Sequence, residues 1–281
     1  MKKLTFFLLF ISAFTMAQTH RFIYEYQYKT DSLSQEYRKD NMTLDINPDE
    51  VKFYEYNYAE IDSLNKTRDF KNCTWNDTPA LKRNKNSSEN TNYALSPEFF
   101  AYRTNDKMIW KLSNETKKVG EYQLQKATTN FGGRHWIAWF NKELNINEGP
   151  YKFRDLPGLI FEIEDEKQNF IFKLVKSMKL EKTYNTNDFL ENFCQQKALF
   201  IDEKTLQKKK LELYLDPLHD FKQSFKESKE RGETGQWKVM NVEIKDISQF
   251  KELTEMMQKR ILKENNPIEL DKAIHYPILK K

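Results

Sequence analysis

Residues 149–165 read GPYKFRDLPGLIFEIED and decide how the middle of the chain folds. They hold two of the 7 glycines and two of the 8 prolines in the 281-residue sequence. The tetrapeptide LPGL at 156–159 predicts a type II turn, because proline fixes φ at the second turn position and glycine tolerates a positive φ at the third. Apolar and polar residues then alternate through 159–165, so the turn starts a β-strand. We expect Pro157 and Gly158 to have structural rather than chemical roles.

A second strand follows the first. The polar segment 165–169 leads into a new alternation over 170–174, and the pattern slips near Val175. This sequence of features predicts a β-hairpin with a bulge in its second strand.

Period-two alternation dominates the N-terminal two-thirds of the chain, which is typical of strands that bury one face. Short polar connections favour an antiparallel meander over parallel crossovers, since crossovers need intervening helices. The Asn-rich stretch 60–92 predicts a short helix or turn and then a long surface loop. Further strands are predicted at 22–28, 42–46, 53–58, 108–112, 119–129 and 134–140.

The C-terminal third changes to helical periodicity. Asp188, Asp202 and Asp246 are candidate N-caps of three helices, of which the second ends at Pro217 and the third before Pro267. We therefore predict an α+β fold: a curved, mainly antiparallel β-sheet, either a meander or a partial barrel, with C-terminal helices.

The first residues have the pattern of a secretory signal peptide. A basic start, MKK, precedes an apolar run over 4–14 that is shorter than a membrane-spanning helix needs. Small residues before Gln18 favour cleavage after Ala17, and we expect a protein exported to the periplasm, the cell surface or the medium. The predicted organisation is a signal peptide at 1–17 and a single domain at 18–281, mainly strands over 18–181 and mainly helical over 182–281.

Charge and hydropathy argue against two classes of partner. The sequence has 46 Lys and Arg against 42 Asp and Glu, without the concentrated basic face of a nucleic-acid-binding protein. No later segment has the roughly 20 apolar residues of a membrane-spanning helix. We therefore expect no nucleic-acid partner and no transmembrane segment.

Cys73 and Cys194 are the 2 cysteines of the sequence. Export permits a disulfide between them, and such a bond would close a long loop. Chains of this size depend on disulfides less than small secreted proteins do, and the sequence leaves the pairing open.

The segment YKFRDLPGLIFEIED, with WIAWF and GPYKF before it, resembles the signature of the GLPGLI family, a group of exported Bacteroidota proteins. Four further features occur in the same order as in the family: Trp110, the segment 120–127 (GEYQLQKA), the pair Trp139 and Phe140, and NNPIEL at 265–270. The resemblance therefore covers most of the mature chain.

Two positions depart from the family pattern, since Asp155 replaces the first glycine of the hexapeptide and Leu124 stands where a cysteine is expected. The resemblance implies export and architecture, and it supplies no activity. The motif positions, to which it assigns structural roles, are Gly149, Pro150, Leu156, Pro157, Gly158, Leu159 and Ile160.

Motifs that carry catalysis are missing from the sequence. It has no Gly-rich phosphate loop and no G-x-S-x-G elbow, and its 4 histidines are too widely spaced for an H-x-x-x-H or H-E-x-x-H metal site. At the acidic end of the signature strand, 162–166, a solvated strand face and turn is favoured over a Ca²⁺ site, because the Asp-x-Asp-x-Asp-Gly loop is absent. We therefore predict no catalytic residue, no metal ligand and no cofactor.

Aromatic residues make up 14% of the sequence. They fill large antiparallel sheets, and tyrosines also suit half-open clefts that bind apolar or sugar-like ligands. The second interpretation predicts a ligand groove on one sheet face. Its candidate lining residues are Tyr24, Tyr26, Tyr54, Tyr56, Trp110 and Trp139.

Two short patterns concern covalent modification. Asp31-Ser32-Leu33 and Asp62-Ser63-Leu64 resemble the O-glycosylation pattern of exported Bacteroidota proteins. Ser32 and Ser63 are therefore candidate glycan acceptors.

The function expected from the sequence is that of a non-enzymatic binding or accessory module of the cell envelope. Its partner would be a small apolar or glycan ligand or an envelope protein. Two alternatives stay open: an extracytoplasmic, hydrolase-like enzyme of unknown class, and a surface structural or interaction protein.

Overall fold

A computed structural model describes residues 18–68, 71–233 and 235–278. The predicted signal peptide, 1–17 with its cleavage site after Ala17, lies outside the described residues. Gln18 directly precedes the first strand.

Strands make up most of the described chain up to residue 180, and helices follow mainly after it. The longer strands are β1 (Thr19–Tyr28), β2 (Arg38–Ile46), β3 (Glu50–Glu55), β4 (Ala80–Asn84), β5 (Glu89–Leu95), β6 (Phe99–Asn105), β7 (Lys111–Val119), β8 (Tyr122–Phe131), β9 (Arg134–Asn141), β10 (Leu159–Asp165) and β11 (Phe170–Leu180). The short ones are β12 (Asn192–Phe193), β13 (Gln196–Lys197), β14 (Leu199–Phe200), β15 (Trp237–Val239) and β16 (Val242–Ile244). The helices are α1 (Tyr56–Arg68), α2 (Glu203–Leu215), α3 (His219–Glu230) and α4 (Gln249–Lys263), with single turns at Asn187–Glu191 and Leu270–Lys272.

Two antiparallel meanders, β1–β6 and β7–β11, lie side by side in one curved, open sheet. The strand order is β14-β6-β5-β4-β3-β2-β1-β11-β10-β9-β8-β7. The first strand of one meander pairs with the last strand of the other, from Thr19 opposite Leu180 to Tyr28 opposite Phe170. The predicted α+β fold, with a mainly antiparallel sheet and mainly C-terminal helices, is confirmed.

The bulge expected near Val175 is also present. Ile23 of β1 lies opposite Lys176, but the next residue, Tyr24, lies opposite Leu174, so Val175 has no partner in the register. The slip in the sequence pattern marks this extra residue.

Within 53–92 the predicted short helix is present as α1, but two other predictions were wrong. The third strand ends at Glu55, because α1 already begins at Tyr56, and the predicted surface loop contains β4 and the first part of β5. These strands lack the apolar alternation because they bury polar side chains, among them Arg83 and Asn92. At this end of the sheet, several buried side chains are therefore polar.

The predicted helix caps are confirmed at one position and shifted at two. The carboxylate of Asp202 accepts a hydrogen bond from the Thr205 amide at 2.6 Å and caps α2. The Asp188 helix is only the single turn Asn187–Glu191, and Asp246 lies before the N-cap residue Ser248 of α4.

The main hydrophobic core lies on one face of the sheet, here called the inner face. Phe53 points to it, while the next residue, Tyr54, packs on the opposite, outer face. The connection 142–158 folds back over the inner face, where Phe153 packs against Trp136 with 4.5 Å between ring centroids. A second cluster on the outer face joins α1 to residues near 190–198, and a third holds α3, β15, β16 and α4 together.

The turn Gly132-Gly133 between β8 and β9 receives the C-terminal tail. Both glycines have positive φ, and an added Cβ would lie 2.9 Å from Glu269 atoms at one position and 2.9 Å from the Asp271 amide at the other. The Leu270 amide donates to the Gly132 carbonyl at 2.6 Å. The conformation and the space at this turn both require glycine.

The turn at 156–159 is tighter than the predicted type II turn. The Gly158 amide donates to the Leu156 carbonyl at 2.8 Å, which closes a three-residue turn, and Gly158 has φ +148. Gly149 is constrained by space, since an added Cβ would lie 2.8 Å from the carbonyl oxygen of Phe153. The structural roles expected of Pro157 and Gly158 fit this geometry.

Asp155 is expected to be a site where glycine stabilises the protein. It has φ +70, a conformation that costs a residue with a Cβ about 1 kcal/mol or more. Its ion pair with Arg154, at 3.1 Å, is exposed on the Asp155 side and contributes little. We expect Asp155→Gly to raise the free energy of unfolding by up to about 1 kcal/mol, measured by urea denaturation. Asp155→Ala is the control, and a gain of equal size in both variants would show that the backbone conformation is not the cause.

Candidate functional site

Three of the six predicted groove residues belong to the protein interior. Tyr24 and Tyr26 lie in the inner-face core, where the Tyr24 hydroxyl donates to the Ile160 carbonyl at 2.7 Å. Tyr54 lies on the other face of the sheet and donates to Asp45 at 2.6 Å. Burial raises the pKa of all three phenols well above the usual value. The groove prediction was wrong for these residues, because their alternation reflects a sheet that is covered on both faces.

The two tryptophans are half-buried at separate places. Trp110 donates from Nε1 to the Arg154 carbonyl at 2.7 Å and packs at the edge of the inner-face core. Trp139 lies under the Lys117 ammonium, 4.5 Å from its ring centroid. Of the predicted set, only Tyr56 lines one of the two clefts described below.

Helix α1 lies on the outer face and has a cleft on each side. The helix buries Tyr58, Ala59 and Asp62 and is supported by an ion pair between Asp62 and Lys66 at 2.9 Å. Basic residues in its last turn, Lys66 and Arg68, favour the helix dipole. The segment 71–79, between the helix and β4, has no regular secondary structure and contacts the helix through Trp75 and Asn76, which lie beside Tyr58.

A disulfide between Cys73 and Cys194 ties this segment to the hairpin formed by β12 and β13, with 5.6 Å between the Cα atoms. The pairing that the sequence left open is therefore present. Cys194 and Gln195 form the two-residue hairpin turn and have φ +49 and +67. Such turns favour glycine or asparagine, so the hairpin holds two unfavourable residues in place.

The larger cleft, here called the disulfide cleft, has a volume of about 720 Å³. Its aromatic side chains are Tyr58, Phe189 and Phe193, and Trp75 supports them by stacking on Tyr58 at 5.2 Å between centroids. The lining residues are Tyr58, Ile61, Asp62, Asn65, Lys66, Lys71, Asn72, Cys73, Thr74, Asp188, Phe189, Asn192, Phe193, Cys194 and Gln195. The cleft thus combines ring faces with amide and charged groups.

Polar groups of the disulfide cleft are held in fixed positions. The Lys66 ammonium lies 2.9 Å from Asp62 and 3.2 Å from Asp188, and these carboxylates raise its pKa against the effect of desolvation. Asn65 and Asn72 exchange two hydrogen bonds, of 2.9 and 3.1 Å. A ligand would meet an ordered polar rim beside the aromatic side chains.

The smaller cleft, here called the acidic cleft, has a volume of about 470 Å³ and opens at the other side of α1. Glu55 is only 4% exposed, and Asn76 Nδ2 donates to its two oxygens at 2.7 and 2.9 Å. Burial is the main cause that raises the pKa of Glu55. The lining residues are Glu25, Lys39, Asp40, Asn41, Glu55, Tyr56, Asn57, Glu60 and Asn76.

The acidic end of the signature strand is partly structural rather than solvated. Asp165 is buried, lies 3.3 Å from the Arg134 guanidinium and accepts from the Phe170 amide at 2.7 Å. Arg134 also donates to Asn266 at 2.6 Å, so this pair fastens the C-terminal tail. The prediction of a solvated face was wrong for Asp165, because sequence does not show its distant partner.

The histidines lie on separate elements of the fold. His135 on β9 contacts Asn130 at 2.8 Å, and His219 at the start of α3 contacts Asp216 at 3.3 Å. Over the described ranges, no group of three or more His, Cys, Asp or Glu side chains is placed to hold a metal ion.

Both candidate glycan acceptors are exposed. Ser32 lies in a turn closed by a 3.0 Å bond from the Ser34 amide to the Asp31 carbonyl. Ser63 lies in the middle of α1. Their glycosylation stays a prediction.

The disulfide cleft could not be predicted from the sequence, because its walls come from distant parts of the chain. The disulfide cleft joins α1 to residues 188–195, which follow it after most of the sheet has been formed. Cys73 and Cys194 were the available signal, because a cross-link between them brings these two segments together.

Comparison with known proteins finds solved structures with a similar fold but identifies no family. No family model matches the chain, and no curated protein matches it. Two solved structures of PNGF-II, in space groups C2 and P21, are similar, with TM-scores of 0.51 and 0.50 and sequence identities of 15% and 17%. The matches cover 69% and 68% of this chain but only 32% and 33% of PNGF-II, so the chain spans about a third of that protein. At this identity the likeness concerns the fold alone.

In the part of the chain that the structure describes, no helix has the length and apolar character needed to cross a membrane.

Proposed function

We propose that the protein is an exported, non-enzymatic binding module whose disulfide cleft holds a small ligand with apolar and sugar-like surfaces. The observation that carries the proposal is the composition of that cleft: three aromatic side chains beside ordered amides and an ion-paired lysine, in about 720 Å³. Pockets for small molecules have this size and combine aromatic walls with a few placed polar groups. A sugar can stack its apolar face on an aromatic ring and form hydrogen bonds with side-chain amides, so it suits a cleft of this composition.

The disulfide supports the exported location in this proposal. Bonds of this kind form and persist in oxidising compartments, where the signal-peptide pattern of residues 1–17 would deliver the chain. The bond also fixes the relative position of the two walls of the cleft. A fixed cleft loses less entropy when it binds a ligand than a mobile one.

Membership of the GLPGLI family is part of the proposal. The first glycine of the family hexapeptide corresponds to Asp155, whose φ of +70 is the conformation that glycine favours. The Lys152 ammonium of GPYKF donates to Glu269 of NNPIEL at 2.6 Å, so these two separate parts of the resemblance meet in the fold. The family pattern thus has a physical basis in this chain.

Filling the disulfide cleft is expected to abolish ligand binding. Ile61 lines the cleft from α1 and is half-buried, so Ile61→Trp would occupy its interior. Leu64→Trp is the matched control, because Leu64 is 42% exposed on the same helix and lines neither cleft. We expect native mass spectrometry against a panel of glycans and fatty acids to show binding by the wild type and the control, and at least tenfold weaker binding by Ile61→Trp.

Three results would overturn the proposed function. Equal binding by Ile61→Trp and the wild type would show that the ligand binds outside the disulfide cleft. No binding by the wild type would show that the cleft does not hold these ligands. Hydrolysis of a substrate panel that persists in Ile61→Trp would favour the hydrolase-like alternative. Melting temperatures of both variants establish that each is folded.

A further inference from the structure

We propose that Lys152 and Asp106 join in an amide bond, which links the connection 142–158 covalently to the end of the first meander. Asp106 directly follows β6, and Lys152 lies in the connection that covers the inner face. The Lys152 ammonium lies 3.1 Å from Oδ2 of Asp106 and 2.6 Å from Oε1 of Glu269. A nucleophile, a carboxyl group and a second carboxylate that can carry a proton are therefore in contact.

The three side chains are shielded from water. Lys152 has 1% of its side chain exposed, and Asp106 and Glu269 each have 9%. The ring centroids of Tyr151 and Phe131 lie 5.3 and 5.9 Å from the ammonium nitrogen. Buried charges are costly and an amide is neutral, so the bond removes one ammonium and one carboxylate from the interior. Low access of water also disfavours hydrolysis, which is the reverse reaction.

The ion pair holds the reacting groups together before the bond forms. Burial opposes ionisation of Asp106 and Glu269, but the Lys152 ammonium outweighs it and lowers the pKa of both carboxyls. The starting groups are thus one ammonium and two carboxylates. Reacting groups fixed in contact reach effective concentrations of about 10⁵–10⁸ M, which offsets the low reactivity of a carboxylate towards an amine.

The contacts of the two carboxylates decide which one is the acceptor. Among the described residues, the side-chain contacts of Asp106 all fall on Oδ2, so Oδ1 is free to accept protons and leave. Both oxygens of Glu269 are engaged, Oε1 with Lys152 and Oε2 with the Lys272 ammonium at 2.8 Å. Asp106 is therefore the acceptor, and Glu269 is the proton carrier.

The reaction needs no other reactant. Oε1 of Glu269 accepts a proton from Lys152, and the neutral Nζ forms a bond to Cγ of Asp106. Oδ2 of Asp106 accepts hydrogen bonds from the Thr104 hydroxyl and, at 3.1 Å, from Asn90 Nδ2, and these donors stabilise the negative charge that develops on this oxygen. The two protons lost by Nζ pass through Glu269 to Oδ1, which leaves as water. One ammonium and one carboxylate thus give one amide and one water molecule.

The mass of the denatured wild-type protein tests for the bond. We expect it to be lower by the mass of one water molecule than the sequence and its disulfide require. Lys152→Arg and Glu269→Gln should keep the full mass, because the first lacks the amine and the second cannot accept the proton. Asp106→Asn should end at the same mass as the wild type, since it loses ammonia instead of water and forms the same amide. Glu203→Gln, which removes a partner of Lys272 at 2.9 Å, is the control and should lose water like the wild type.

Digestion with trypsin locates the bond. Trypsin cuts after Lys and Arg, so an unlinked chain gives peptides 104–107 and 143–152, whereas the amide protects Lys152 and joins 104–107 to 143–154. This joined peptide would support the proposal and distinguish the bond from loss of ammonia by an N-terminal Gln18.

Three results would overturn the proposal. The first is a wild type of full mass that yields the two separate peptides. The second is an equal loss of water from Lys152→Arg. The third is a bond from Lys152 to peptide 264–272, which would make Glu269 the acceptor in place of Asp106.

Discussion

Gly158→Ala is expected to lower the free energy of unfolding by about 4 kcal/mol, as the sum of about 1–3 kcal/mol for the conformation and about 1–3 kcal/mol for overpacking. Gly158 has φ +148, and an added Cβ would overlap the carbonyl oxygen of Asn141. That oxygen belongs to the backbone at the end of β9, directly beside the start of β10, so it cannot move aside alone. The measurement is equilibrium unfolding in urea, followed by far-UV circular dichroism.

Gly120→Ala provides the matched control for this result. Gly120 also has a positive φ, +59, but its added Cβ would meet nothing within 4 Å. We expect this variant to lose only about 1 kcal/mol, the conformational part of the effect. Equal losses of unfolding free energy in Gly120→Ala and Gly158→Ala would show that the overlap with Asn141 does not destabilise the protein.

Arg21→Met is expected to cost about 3–5 kcal/mol of folding stability, because it leaves a buried carboxylate without its counter-charge. Arg21 donates to both oxygens of Asp45 at 2.7 Å and to the Tyr54 hydroxyl at 2.9 Å. Asp45 is fully buried, and the Tyr184 ring lies 4.2 Å from the Arg21 guanidinium carbon. The free energy of unfolding in urea measures the loss.

Two further variants define the origin of that loss. The double variant Arg21→Met/Asp45→Leu should recover most of it, since no charge is then left buried. Lys126→Met breaks an exposed pair with Glu115, at 2.9 Å, and should cost less than about 1 kcal/mol. A loss of stability in Arg21→Met no larger than that in Lys126→Met would show that the buried contacts among Arg21, Asp45 and Tyr54 do not stabilise the fold.

The sequence predicts the fold well where burial follows hydrophobicity. Strands β1, β10 and β11 alternate apolar and polar residues, and even the bulge at Val175 leaves a visible slip in the pattern. Strands β4 and β5 fail this test because their buried face is polar: Arg83 pairs with Glu148 of the 142–158 connection, and Asn92 donates to Thr104 at 3.0 Å. Glu148 lies 65 residues from Arg83 along the chain and Thr104 lies on the neighbouring strand β6, and neither polar partner produces an apolar periodic signal.

The candidate site is harder to predict for a related reason. Tyr54 and Tyr56 have the spacing of one strand face, yet the strand ends at Glu55 and the two side chains enter different surroundings. The walls of the disulfide cleft come from α1 and from residues 188–195, and a cross-link brings them together. Local patterns identify aromatic residues, but only tertiary structure tells which of them face solvent.

The binding role of the disulfide cleft is tested most directly by a crystal structure of the mature protein purified from its native host. We expect electron density for a small molecule between Phe189, Phe193 and the Cys73–Cys194 disulfide. A cleft that holds only water, in a protein whose native and denatured masses show no non-covalent ligand, would contradict the proposed function.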